Sequence, residues 1–493
     1  MISLTISLIL VAAQSAPQLF ESTDVVADAN IGALSDAIEY RTVAVETSLL
    51  ARRSPILELN ISATTTLTAL YQSTDVYDDG YVWRGVIQGH PESTVDISVC
   101  QEVVMATIRY DDNFYQIEYA GNNVHRIKRV DDSLAPGCGV TTDHAIHSAV
   151  QKAVTNNNNN GRASTIIDVL VVYSSEALSY IGSASAMNSK INLAMTETNS
   201  AYVASGITQQ VNLVHKAEMV GYVEPGSFSQ ILYDLTYTND GDMDSAHTLR
   251  NQYGADCVAM VCKNSAYGGM AWIMTNVSPS FASNAFSVTC YQYLTGYSTF
   301  QHELGHNMGS AHDPQNAGSA AYSYSYGFRT SNSLYRTVMA YAPGARVNKF
   351  SGPSVTYNGY TLGNSSQDNV RSINNTASTF SNFRGTVPPV PPVLTVPTLV
   401  AGSWVMFQVD YCTPFGLVNI LFSTTGGGPT NTSYGVTSLS VPIRMMPAFT
   451  ADVDGYGAWF VRVPSSASGR SVWMQAYDHD AAALSNGVAT LVL

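Results

Sequence analysis

The stretch STFQHELGHNMGSAHD, residues 298–313, sets three histidines and a glutamate into one short helical segment and the turn after it. Side chains four apart share a helix face, so His302 and His306 present both imidazoles in one direction, at a spacing that reaches a single ion. Ser298 and Gln301 match a capping box, which predicts that the helix starts there. Phe300, Leu304 and Met308 form the adjacent apolar stripe, expected to hold the helix against a sheet. Gly305 costs about 1 kcal/mol relative to alanine inside a helix, which implies that something packs close at that point. Gly309 falls where the helix must end and turn, a position suited to the left-handed backbone that a β-carbon disfavours. The redirected chain then delivers His312 as a third ligand. Three neutral imidazoles leave the fourth tetrahedral position for water, the arrangement of a catalytic rather than a structural zinc site, and Glu303 is positioned to accept that water's proton. HExxH alone recurs by chance; the added Gly309 and His312 make the pattern specific.

The surrounding chain supplies a sheet for this helix. TIIDVLVVYSS, from Thr165, reads as a buried strand, and residues 184–205 as a helix with Met187, Ile191, Met195 and Thr198 on one face. QQVNLVHKAE reads as extended, SFSQILYDLTY and DMDSAHTLRNQY as helical, and ADCVAMVC, GGMAWIM and AFSVTC as strands. The alternation predicts an α/β domain over residues 165–385. Upstream, residues 17–150 carry alternating segments such as TVDISVCQEVVMATIRY (94–110) and NFYQIEYA (113–120), the pattern of a mainly β region. Between the two, residues 151–164 contain five consecutive asparagines and read as an exposed linker open to proteases. Residues 386–399 are proline-rich and are expected to be a stiff spacer; residues 400–493 alternate in bursts such as GAWFVRVP and SVWMQAYD, the pattern of a small β-sandwich.

At 493 residues and 45% hydrophobic content the chain is long enough for two or three buried cores. Its formal charge of -14, with no basic cluster, argues against nucleic acid as a partner. Residues 1–16 join an apolar run to small residues, as in a secretory signal, although no Lys or Arg precedes the run. No later apolar run approaches the ~20 residues of a membrane span, so no transmembrane anchor is expected. Six cysteines are too sparse for a disulfide-built scaffold. Cys257 and Cys262 are five apart on one predicted strand, about 16 Å, too far to bond to each other; either could pair with Cys290, and the choice stays open.

YRTVMAY, residues 335–341, adds Met339 and Tyr341 downstream of the third histidine. The pattern H-E-x-x-H-x-x-G-x-x-H followed by such a Met-turn resembles that of the metzincin zinc endopeptidases. Asp313, directly after His312, resembles the reprolysin (adamalysin) branch, and FSGPSVTYNGYTLG and NVRSINNTASTFSNFRG are similar to its secreted bacterial members. The resemblance spans about residues 165–384. It implies a mixed sheet with an active-site helix and one catalytic Zn2+ on His302, His306 and His312. Glu303 would be the general base and Met339 the hydrophobic floor, not a ligand. Asp313 would be a structural partner of the Met-turn. Tyr341 departs from animal reprolysins towards the Met-x-Tyr of astacins and serralysins, which leaves it either an oxyanion donor or a packing residue. YGGMAWIM (267–274) resembles the family's cleft-edge strand, to which an extended peptide adds by backbone hydrogen bonds. LAPGCGVTTDH (134–144) resembles a prodomain cysteine switch, with Cys138 as a zinc ligand in the latent precursor; the other reading pairs Cys138 with Cys100 in a disulfide.

The expectation is a secreted, extracellular zinc endopeptidase acting on polypeptides and made as a latent precursor, with residues 17–150 as prodomain. The alternatives are a zincin-fold binding protein with weak or no protease activity and an adhesion protein. In the latter the C-terminal module would be the working part, a candidate for binding a surface, glycan or matrix ligand. His144 and His147 read as solvated, and His215 and His247 as ordinary polar positions. DVDG (452–455) offers carboxylates to Ca2+ but lacks an EF-hand's remaining ligands, so it reads as a tight turn.

Overall fold

Half-buried alternating strands dominate the first third of the chain, and they pair into one nine-stranded antiparallel sheet. The computed structural model describes residues 16–139, 166–385 and 391–493, apart from Ala33, Asp112, Pro414, Phe415, Val453 and Asp454. Residues 1–15 of the expected signal, the asparagine-rich linker, His144, His147 and half of DVDG therefore lie outside the described residues. The strands are β1 (Phe20–Ser22), β2 (Ala37–Val45), β3 (Ile56–Asn60), β4 (Thr66–Tyr77), β5 (Gly80–Ile87), β6 (His90–Cys100), β7 (Val103–Tyr110), β8 (Asn113–Tyr119) and β9 (His125–Val130). A short helix α1 (Thr47–Ala51) follows β2 and buries Leu49 and Leu50. One face buries a core of its own around Trp83, Ile97 and Ile117.

The second unit is a five-stranded sheet in the order β11 (Gln210–Met219), β10 (Ile166–Ser174), β12 (Cys257–Cys262), β14 (Phe286–Cys290), β13 (Gly269–Ala271). The first four strands are parallel and β13 is an antiparallel edge. A parallel sheet is covered on both faces, which is why β10 and β12 read as continuous apolar runs. Helices α2 (Ser175–Ile181), α3 (Ala184–Ser205), α4 (Phe228–Thr236), α5 (Asp244–Gln252), α6 (Thr299–Asn307) and α7 (Asn369–Phe380) surround it. Ser174, Ser183 and Ser227 cap α2, α3 and α4 with side-chain oxygens, and Gly182 and Gly206 end the first two at positive φ.

The reading of α3 as one-sided is too narrow. Ser189, Lys190, Asn192, Thr196 and Glu197 are as buried as Met187 and Ile191. The reason is a second layer: β5, β6 and β7 pack on α3 from one side while β11 and α6 contact it elsewhere. The polar face is satisfied across that junction. Glu197 accepts from Thr107 Oγ1 at 2.6 Å and from Gly296 N at 2.7 Å, and Lys190 Nζ meets Glu118 Oε1 at 2.5 Å.

The C-terminal region has a three-stranded sheet (Val393–Thr395, Trp404–Asp410, Gly457–Arg462) and a second sheet built on Leu417–Ser423 and Ser471–Asp478, with one shared core. The spacer expected over 386–399 is therefore shorter than the sequence implied. Val393–Thr395 is a strand, and Leu394 and Leu399 are buried in that core. Cys257, Cys262, Cys290 and Cys412 are buried free thiols, with Cys262 opposite Cys290 in the β12–β14 register. Among the described residues no helix is long and apolar enough to cross a membrane.

Candidate active site

Helix α6 starts differently from the expected capping box. Ser298 stands at φ +59 with no side-chain cap bond; its Oγ goes to Asn348 Oδ1 at 3.0 Å, and Gln301 Nε2 donates to the same oxygen at 2.6 Å. A residue 50 positions downstream thus fixes the helix start, and Asn348 is itself tied to α3 through Glu197 O. At the other end Gly309 has φ +84, and Ser310 N donates to Gly305 O at 2.9 Å, which closes the helix. Inside it, a β-carbon on Gly305 would lie 2.7 Å from Met339 Sδ and 3.2 Å from Phe350 Cε1, the close packing that the glycine permits.

The turn brings the three histidines together. Their Nε2 atoms lie 3.1 to 3.2 Å from one another. Each Nδ1 faces a backbone carbonyl: His302 that of Val338 at 2.8 Å, His306 that of Ser310 at 2.8 Å, His312 that of Asn316 at 3.4 Å. A carbonyl can only accept, so each Nδ1 carries the proton and each Nε2 is a bare lone pair. Burial holds all three rings below the usual histidine range, His312 at about 4, so protonation does not relieve the lone-pair repulsion near neutral pH. Three buried acceptors converging on one point need a cation. Zinc–nitrogen bonds of about 2.05 Å at tetrahedral angles set nitrogens about 3.3 Å apart, close to the observed triangle, so these residues fit zinc.

Glu303 is fully buried, and burial pushes its carboxyl up to about 8 against the opposing effects of a Cys138 hydrogen bond and the Arg346 charge. A cation on the histidines would pull it back down. Its Oε2 accepts from Cys138 Sγ at 3.4 Å, while Oε1 has no partner among the described residues. Cys138 Sγ is also 3.6 Å from His306 Nε2, and Sγ and the three histidine nitrogens all lie within 4.8 Å of one another. The segment carrying Cys138 lies along β13 and advances with it: Gly139 N donates to Gly269 O at 2.9 Å and Gly268 N to Gly137 O at 3.0 Å. The Tyr341 hydroxyl donates to Cys138 O at 2.8 Å, and its ring lies against His312. Asp313 Oδ2 accepts from Tyr341 N at 3.0 Å, and its Oδ1 pairs with Arg329 at 2.8 Å. Met339 is wholly enclosed against the helix.

His215 and His247 lie elsewhere, the first stacked on Tyr253 and the second bonded to Leu235 O. Sequence reading gave no role to the carbonyls of Val338, Ser310 and Asn316, whose positions no side-chain pattern marks. Nor did it single out Gly269, whose β-carbon would meet Glu303 Oε1 at 2.5 Å; the paired glycines of YGGMAWIM were the available signal.

A short helix with three bare imidazole nitrogens, a buried carboxylate beside them and an edge strand across the cleft is the layout of a metallopeptidase. A family model described as Metallo-peptidase family M12 (Reprolysin_5) matches residues 163–351. The chain is 31% identical to the peptidyl-Asp metalloendopeptidase of Xanthomonas campestris pv. campestris over 70% of its own length and 85% of that protein's. It is also 31% identical to the peptidyl-Asp metalloendopeptidase of Stenotrophomonas maltophilia strain R551-3, over 77% of this chain and 97% of the other. Among solved structures, metalloproteinase-II from Bacteroides fragilis aligns with a TM-score of 0.36 at 10% identity, over 54% of this chain and 84% of that one. The chain belongs to metallopeptidase family M12 and is a metzincin-like zinc metalloendopeptidase.

Proposed function

We propose that the chain is a secreted endopeptidase, made as a latent precursor, that cuts polypeptides beside aspartyl residues. In this reading His302, His306 and His312 hold zinc and Glu303 is the general base. The observation that carries it is the convergence of three unprotonated Nε2 atoms beside Glu303, whose Oε1 has no partner among the described residues. Zinc bound there would supply Lewis acidity to a peptide carbonyl and to a water molecule. Glu303 takes the proton from that water as its oxygen attacks the carbonyl carbon, then returns it to the departing amine, so no covalent intermediate with the chain is needed. Tyr341, donating to Cys138 O in the precursor, would offer the same hydroxyl to a substrate carbonyl as negative charge develops on it. Met339 and Asp313 hold the floor and the turn that carries Tyr341.

Residues 17–150 act as prodomain, residues 165–385 as catalytic domain and 400–493 as a C-terminal module. Latency would come from Cys138, whose sulfur lies within 4.8 Å of the three histidine nitrogens and would hold the metal's remaining position, and whose segment lies along β13 where a peptide would add. Cleavage in the 151–164 linker would release it. The N-terminal apolar run supports export, and the names of the relatives support the aspartyl preference. Mapping cleavage sites in a denatured protein mixture tests the reading. Cuts adjoining aspartate, abolished by a chelator and by Glu303→Ala, are expected; cuts that ignore aspartate would refute the substrate assignment. A Cys138→Ala precursor as latent as the wild type would refute the switch.

A further inference from the structure

Beside Tyr341 opens a cavity of about 750 Å³ whose walls include Arg336, Arg346, Tyr297, Pro136 and Asp132. The two arginines converge in it. Arg336 donates from Nε to Gly344 O at 2.8 Å and from a terminal nitrogen to Ala340 O at 2.9 Å. Arg346 donates to Tyr297 O at 3.0 Å and, at 3.4 Å, to the same Ala340 carbonyl. Its Nε is enclosed and has no partner among the described residues. Neutral carbonyls satisfy geometry but not charge: two guanidiniums around one carbonyl repel each other, and burial raises the cost of both. Burial and then the charge of Arg346 lower the Arg336 guanidinium to about 9, the direction expected when a balancing anion is short.

The acid closest to supplying that balance in the precursor is Asp132, whose charge acts on both arginines. Asp132 is shared with Arg109 at 3.5 Å, and both belong to the N-terminal region, which leaves with the prodomain in the proposed maturation. Removing that region strips the acid from the cavity and leaves the arginines on the catalytic side. Tyr341 itself lines the cavity, so the cavity adjoins the reacting groups. A planar guanidinium with a free N–H is suited to a carboxylate, which it grips through a fork of parallel donors.

We infer that Arg346, supported by Arg336, forms the pocket that selects an acidic side chain next to the scissile bond, and that Asp132 stands in for that side chain in the precursor. The inference rests on the aspartyl-cutting reading above and names the residues that enforce it.

The test compares kcat/KM of the full chain, after maturation in solution, on two peptides that differ only by Asp or Asn at the selected position. Wild type should prefer Asp. In Arg346→Gln the Asp:Asn ratio should fall roughly 10- to 150-fold, the range carried by a hydrogen bond to a charged group. Arg336→Gln should lower it less. Arg346→Lys, which keeps the charge but not the fork, should fall between wild type and Arg346→Gln. Should the glutamine variants fail to fold, inhibition of wild type by N-acetyl-aspartate amide against N-acetyl-asparagine amide decides the matter: stronger inhibition by the acid is expected, and equal inhibition overturns the pocket. A ratio unchanged in folded, zinc-loaded Arg346 and Arg336 variants also overturns it while leaving the aspartyl reading intact. A wild type without aspartyl preference sinks that reading first.

Discussion

Gly269→Ala should disable the enzyme while leaving its fold in place. The residue sits on β13, has ordinary strand backbone and pairs with Thr289 of β14. Alanine is no worse than glycine in such a strand, so the backbone itself gives little reason for instability. The added methyl, however, would lie 2.5 Å from Glu303 Oε1 and 2.7 Å from Glu303 Cδ, where ordinary van der Waals contact begins at 3.4 Å. About 0.9 Å must be found. β13 is held by its ladder to β14, whereas Glu303 Oε1 has no partner among the described residues to restrain it, so the carboxylate is the group that yields. A displacement of about 1 Å at a reacting group costs on the order of 100-fold in rate, near 2.7 kcal/mol of transition-state stabilisation. The assay is kcat/KM of the matured enzyme on a quenched peptide, with zinc stoichiometry and thermal midpoint measured on the same sample. Activity within about threefold of wild type in a folded, zinc-loaded variant would mean that Glu303 does not act from where it stands, and the general-base assignment would fail with it.

Gly309→Ala should be a stability variant instead. It strains a left-handed residue at φ +84 by about 1 kcal/mol or more and drives a methyl to 2.5 Å from Ala321 Cβ, so a total loss of roughly 2 to 4 kcal/mol is expected by denaturant unfolding; an unchanged midpoint would contradict the turn. Zinc should stabilise the matured enzyme by mass action, each tenfold rise in free metal above the dissociation constant adding about 1.4 kcal/mol, and a thermal midpoint indifferent to zinc would refute the three-histidine site. Burial raises the Glu197 carboxyl from 4.5 to about 7, so between those values the folded chain holds a proton that the unfolded chain has lost. Stability from this group is therefore greatest below pH 4.5 and declines as pH rises through 7. Glu197→Gln should match wild type near pH 4 and exceed it at pH 8, by at most roughly 3 to 4 kcal/mol at about 1.4 kcal/mol per pKa unit. Parallel stability curves for the two proteins would show that Glu197 is ionised in the fold.

What the sequence made legible was whatever depends on spacing along one element. His302 and His306 are one helical turn apart, and Gly309 and His312 follow at the distances a left-handed turn allows, so the site could be drawn before any contact was known. The strands of the parallel sheet announced themselves by apolar runs because both of their faces are covered. What depends on distant partners was not legible. Ser298 looks like half of a capping box, yet its hydroxyl goes to Asn348; local competition between a cap and a side-chain amide 50 residues away cannot be decided from the helix sequence alone. The burial of the polar residues of α3 had no local signal because the sheet that covers them comes from a different part of the chain. Arg336 and Arg346 are ten positions apart, and only the turn between them, folding both guanidiniums onto Ala340 O, makes them a pair. The same division explains the segment around Cys138. Cys138 was noticed through the residues around it, but its place among the histidines depends on two glycine-to-glycine backbone bonds that lay it along β13 and on the Tyr341 hydroxyl that holds its carbonyl. Those three bonds bind backbone rather than side chain, so they would hold almost any sequence in the cleft. Choice among sequences must then come from a pocket beside it, and the two arginines are the groups there with charge left to balance.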